Sequence, residues 1–226
     1  MTTKSGKHDY SFMLFTLLVN AAYDLWMGRV WAAVAVSTSL LGALGLVIAT
    51  RDGPGMAGYV SESGVAGAPH ALLYRISLLV FGIAAGAAAL ALRPAARLAA
   101  LCLGLAMPCV LVSSAARCSA GCPLPPFQRP TTGDLIHAGA SIAAVGLCAL
   151  AILAAAAWSV DPVVRAVSRW SVVLSMPLLT AMAVGLLTVG HGRFTGVVER
   201  LSLTGCLAWL VAVCGVRTRQ AAGDQR

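Results

Sequence analysis

Residues 135–158, "LIHAGASIAAVGLCALAILAAAAW", decide the fold. The run holds no Asp, Glu, Lys, Arg or Pro, and its one histidine, His137, lies near the start. A helix rises 1.5 Å per residue, so crossing the ~30 Å hydrocarbon core of a bilayer takes about 20 such residues. The alternation of a barrel strand is absent. Five more runs of this kind lie on either side: 30–49, 71–92, 98–115, 170–189 and 197–216. Charged residues make up 11% of the 226-residue chain, against about 25% in a soluble domain. Main-chain polar groups in lipid must be satisfied internally, and helices do this within one segment. The expectation is an all-α polytopic membrane protein, a six-transmembrane-helix bundle over residues 30–216. A cytoplasmic or interfacial segment, 1–29, precedes it, and a cytoplasmic tail, 217–226, follows.

The N-terminal segment reads "YSFMLFTLLVNAAYDLW" over residues 10–26. Asp9, Thr16, Asn20 and Asp24 recur at near-helical spacing and form a narrow polar stripe, which favours a helix lying in the interface over a seventh span. A formal net charge of +8 would suit nucleic acid if it were clustered, but the basic residues are spread over every loop and both tails. They bear instead on topology. Ten of the 16 Lys and Arg fall on the side of the two termini and six on the other, so the positive-inside rule places both termini in the cytoplasm of a multi-pass cell-membrane protein. Within the spans, Gly82 and Gly86 form a GxxxG that suits helix packing inside the chain or a homodimer face. Pro108 and Pro177 interrupt the third and fifth runs and should bend them.

The unusual residues are confined to three connections that alternation puts on one face, the outer one under this topology. The first, "VSESGVAGAPHALLYR" (60–75), holds Ser61, Glu62, His70 and Arg75. The second, "CSAGCPLPPFQRPTTGDLIHAGAS" (118–141), holds Cys118, Cys122, Asp134 and His137. The third, "GHGRFTGVVERL" (190–201), holds His191, Glu199 and Arg200. "TTGD" before an apolar run marks a helix start, with Asp134 or Thr132 as N-cap. Asp134 and His137 are three apart and share a helix face, either as a cap plus a histidine bonded to a carbonyl or as an acid/base pair. Cys118 and Cys122 suit a local disulfide on an oxidising face. Zinc held by Cys118, Cys122, His137 and His191 is an alternative whose spacing matches no standard finger. Arg75 is a natural partner for Glu62, Asp134 or Glu199, or for an anionic headgroup.

These three stretches together resemble the bacterial integral-membrane family known as domain of unknown function 998, over roughly residues 30 to 216. The "SESG" after the first span is more distantly similar to Frag/DRAM-like membrane proteins. The resemblance implies a small multi-span helical fold and supplies no activity.

The functional expectation is therefore a protein that binds, and in one version processes, an amphipathic lipid- or isoprenoid-like molecule in an outer-face polar pocket. Asp134, His137, His191 and Glu62 would be its acid/base groups, and Arg75, Glu199, Arg200 and Ser61 would bind the substrate. Asp134, His137, Arg75, Glu62, His191 and Glu199 are expected to line one shared pocket, and Asp134→Asn would then leave the fold largely intact. No metal or cofactor is called for, and membrane lipid or a lipid-like molecule is the expected partner. The alternative is a membrane-embedded acid/base or metal-assisted enzyme (hydrolase, cyclase or isomerase). A transporter or an immunity or scaffold protein is a second alternative.

Overall fold

Six long helices dominate the computed structural model, which describes residues 6–53 and 55–223, with side chains over 26–53 and 55–219. They are α1 (Gly6–Ala49), α2 (Ala71–Leu92), α3 (Arg97–Ala115), α4 (Thr132–Trp158), α5 (Pro162–Thr188) and α6 (Arg193–Gly223). Each contains a stretch long and apolar enough to cross a membrane, and among the described residues there is no strand. Large apolar side chains point outward along them, for example Leu41, Leu72, Leu174 and Leu187, each more than 60% exposed. Such a surface would be an aggregation hazard in water, and it suits hydrocarbon.

Each helix packs on its neighbours in the chain, and α6 closes the ring against α1. Close approach depends on small residues. Ala32, Ala35, Ala87, Ala88, Ala91, Ala99, Ala151 and Ala155 form much of the buried centre. Where lipid is as apolar as any side chain, van der Waals contact between backbones drives helices together, and alanine and glycine allow it. Gly82 and Gly86 act in this way: their open faces are filled by Leu111 and Met107 of α3, so this GxxxG stripe serves packing within the chain. At the centre Trp209 is almost wholly buried, and its indole N–H donates to Ser168 Oγ at 2.9 Å.

Some boundaries differ from the sequence expectation. α1 runs unbroken from Gly6 to Ala49, so from residue 6 onward the N-terminal segment is helical and continuous with the first apolar stretch, Trp26–Ala49. The polar stripe of Asp9, Thr16, Asn20 and Asp24 lies outside the residues whose side chains are described. α6 passes through the expected boundary at residue 216 to Gly223. α5 begins at Pro162, so the expected loop 159–169 is largely its first two turns. Here Asp161 Oδ1 accepts from the main-chain N–H groups of Val163 (2.8 Å) and Val164 (3.1 Å), and Pro162 opens the helix where no N–H is needed. Arg165 and Arg169 turn back to donate to the carbonyls of Ser159 and Ala156 at the end of α4. α3 and α5 continue through Pro108 and Pro177.

The chain order puts the ends of α1, α3 and α5 and the starts of α2, α4 and α6 at one end of the bundle. The three unusual connections meet there, and the short turns 93–96 and 159–161 lie at the other end.

Candidate functional site

The disulfide between Cys118 and Cys122, with Cα atoms 5.0 Å apart, closes a small ring at the loop-rich end. Both residues are buried against Tyr59, with Val65, Leu124 and Leu186 around them. This bond takes up the two thiols that the zinc alternative required. Cys102, Cys109, Cys148, Cys206 and Cys214 are free. Denatured protein alkylated without reductant should therefore carry five labels, and prior reduction should add two, as read by intact mass. Seven labels without reductant would contradict the bond.

Asp134 is bound into the main chain. It is 1% exposed and accepts four hydrogen bonds. Ser119 N (2.6 Å) donates to Oδ1, and Ser119 Oγ (2.8 Å), Thr131 N (2.7 Å) and Thr131 Oγ1 (2.7 Å) donate to Oδ2. Thr131, rather than Thr132 or Asp134, is the N-cap of α4, and Asp134 is the acidic half of its capping box. One carboxylate thus fastens the cysteine loop to the start of α4.

His137 lies one turn further on. Its Nδ1–H donates to the Ser113 carbonyl at 2.9 Å, because a carbonyl can only accept. The neutral ring then carries its lone pair on Nε2, which is buried and has no partner. Ser113 Oγ lies 2.8 Å from Ser141 Oγ, linking α3 to α4. Arg75 completes the end of α3: its Nε donates to Ser114 O at 2.8 Å and its Nη2 to Ala115 O at 3.3 Å. A cation at a helix C-terminus meets both free carbonyls and the negative end of the dipole.

Glu62 and His191 form a pair across the first and third connections, Oε1 to Nε2 at 2.6 Å. Glu62 Oε1 also accepts from Tyr59 N at 2.7 Å, and the Tyr59 ring stands edge-on to His191 with centroids 5.1 Å apart. Burial, with the carboxylates of Glu199 and Glu62 nearby, pushes the Tyr59 phenol up to about 12, so it stays neutral. The Arg200 guanidinium donates to three carbonyls, Gly58 (2.9 Å), Gly196 (2.8 Å) and Gly55 (2.6 Å), and pins the first connection to α6. Glu199 Oε2 accepts from Val60 N at 2.9 Å.

Between the helices lies a half-open cavity of about 500 Å³ with walls from all six. This lies within the 300–1,000 Å³ usual for small-molecule sites. Its polar residues gather one or two turns below the loop-rich end: Tyr59, Tyr74, Ser113, His137, Ser141 and Glu199. Its deeper wall is apolar, with Phe81, Leu103, Ala106, Ala144, Leu207 and Leu210. Ser39, whose Oγ has no partner, and Thr204 are polar residues of the deeper wall.

Of the six residues expected to share one pocket, His137 and Glu199 line this cavity, as do Arg200 and Ser61 from the expected binding residues, and Asp134, Arg75, Glu62 and His191 do not. Those four are engaged in capping or pairing at the loop-rich end. Tyr59, Tyr74, Ser113 and Ser141 were not anticipated. Ser141 lies four residues from His137, a spacing that puts the two on one face of α4.

No curated protein and no solved structure shows a significant match to this chain. A family profile described as "Protein of unknown function (DUF998)" matches residues 34–216, and the chain belongs to that family.

Proposed function

We propose that this multi-pass protein resides in the cell membrane with its loop-rich end outside, and binds an amphipathic small molecule in the cavity. The polar end of the ligand meets the belt formed by Tyr59, Tyr74, His137 and Glu199, and its apolar body occupies the deeper chamber. One observation carries the reading: most of the polar lining lies toward the loop-rich end, and the deeper lining is mostly apolar. An unpartnered buried polar group costs about 1–3 kcal/mol, and Tyr59 Oη, His137 Nε2 and Ser39 Oγ all lack partners in this wall. A ligand bearing donors and acceptors would recover part of that cost. The disulfide and the capping hydrogen bonds at the loop-rich end support a preformed site, which lowers the ordering cost of binding.

The test is to fill the chamber. Ala144 is buried and lines the apolar part, so Ala144→Phe would occupy space there. Native mass spectrometry of protein released from micelles should show a bound amphiphile in the wild type. The adduct should be lost in Ala144→Phe and in a second blocking variant, Ala106→Phe. An adduct retained in folded protein of both variants would contradict the reading.

A further inference from the structure

The polar belt lacks what an anionic headgroup needs. Among the described residues Arg200 is the one Lys or Arg in the cavity wall, and its guanidinium already donates to the carbonyls of Gly58, Gly196 and Gly55. Arg75 is held by the end of α3 and lies outside the lining. His137 presents only a lone pair, since its Nδ1–H is given to Ser113. Against this stands one carboxylate. Glu199 lines the cavity, receives a single hydrogen bond from Val60 N, and forms no ion pair among the described residues. Tyr59 and Tyr74 line the same end and bring two aromatic rings. Arg200 lies near Glu199 without forming an ion pair with it, and a buried carboxylate below the membrane surface without a direct counter-ion is costly. An ammonium would meet it with a charge-assisted hydrogen bond, and aromatic faces favour the same charge.

Resting on the amphiphile-binding reading above, we propose that the ligand's polar end is a protonated amine, with Glu199 as its counter-ion. The site is then selective for lipophilic amines over alcohols and phosphates of equal chain length. The tail contributes the common apolar contact, and the head decides the ranking.

Purified full-length protein in detergent is heated with dodecylamine, dodecanol or dodecyl phosphate, alone and as the Glu199→Gln variant. Dodecylamine at a hundredfold excess over its Kd should raise the unfolding temperature by about 5–10 °C. Dodecanol should do less, and dodecyl phosphate least. Glu199→Gln should remove the advantage of the amine and leave the dodecanol response in place. Should Glu199→Gln prove unstable, Glu199→Asp serves as a second variant, weakening the amine response by shortening the reach of the carboxylate. Equal responses to all three probes, or an amine advantage that survives Glu199→Gln, would overturn this proposal while leaving the cavity reading standing. Failure of every chain to stabilise the wild type would overturn both.

Discussion

Replacing Asp134 with Asn is expected to destabilise the protein by about 3 kcal/mol, the scale for removing a buried charged acceptor from its donors. The carboxylate receives four donors from Ser119 and Thr131, one on Oδ1 and three on Oδ2, and an amide would turn its own NH2 toward at least one of them. Two effects combine: the capping box of α4 opens, and the cysteine loop loses its attachment. Thermal unfolding in detergent should fall by about 6–12 °C for a domain of this size. This reverses the sequence expectation that Asp134→Asn would spare the fold. A variant with wild-type stability would show that the four hydrogen bonds contribute little.

The second large effect is expected at Arg200. Three main-chain carbonyls from the first connection and from α6 converge on one guanidinium. Arg200→Met keeps most of the aliphatic stem and leaves those carbonyls without their donor. The loss should be about 2 kcal/mol, since part of this contact is open to solvent. The clearer readout is local: limited proteolysis should cut within residues 50–70 much faster than in wild type, with the helices resistant. Uniform susceptibility along the chain would instead indicate general unfolding.

The fold was legible because run length and the absence of charge are direct consequences of a hydrocarbon solvent. What blurred was the start of α5. Asp161, Arg165, Ser168 and Arg169 lower the hydropathy there, although Asp161-Pro162 is itself a helix-start signal. The meeting of the three connections was legible, but not the pairing of their side chains. Alternation along the chain correctly brought the three connections together. It could not say that Arg75 would turn to the carbonyls of Ser114 and Ala115, or that Glu62 would choose His191. Asp134 and His137 do share a face of α4, as their spacing requires, yet the first turns to the cysteine loop and the second to α3. Partner choice of this kind depends on helix rotation and loop path, which spacing alone does not encode. The tyrosines of the polar belt were missed because Tyr59 and Tyr74 look like ordinary apolar residues beside "SESG" and "ALL".

The most direct test of the central claim is an experimental density map of the protein in lipid nanodiscs, resolved well enough to show side chains and acyl chains. The account predicts elongated density inside the ring of helices, with one end at hydrogen-bond distance from Glu199 and the rest lying along Leu103, Ala144 and Leu207. A cavity closed by its own side chains, or one holding only water, would contradict it.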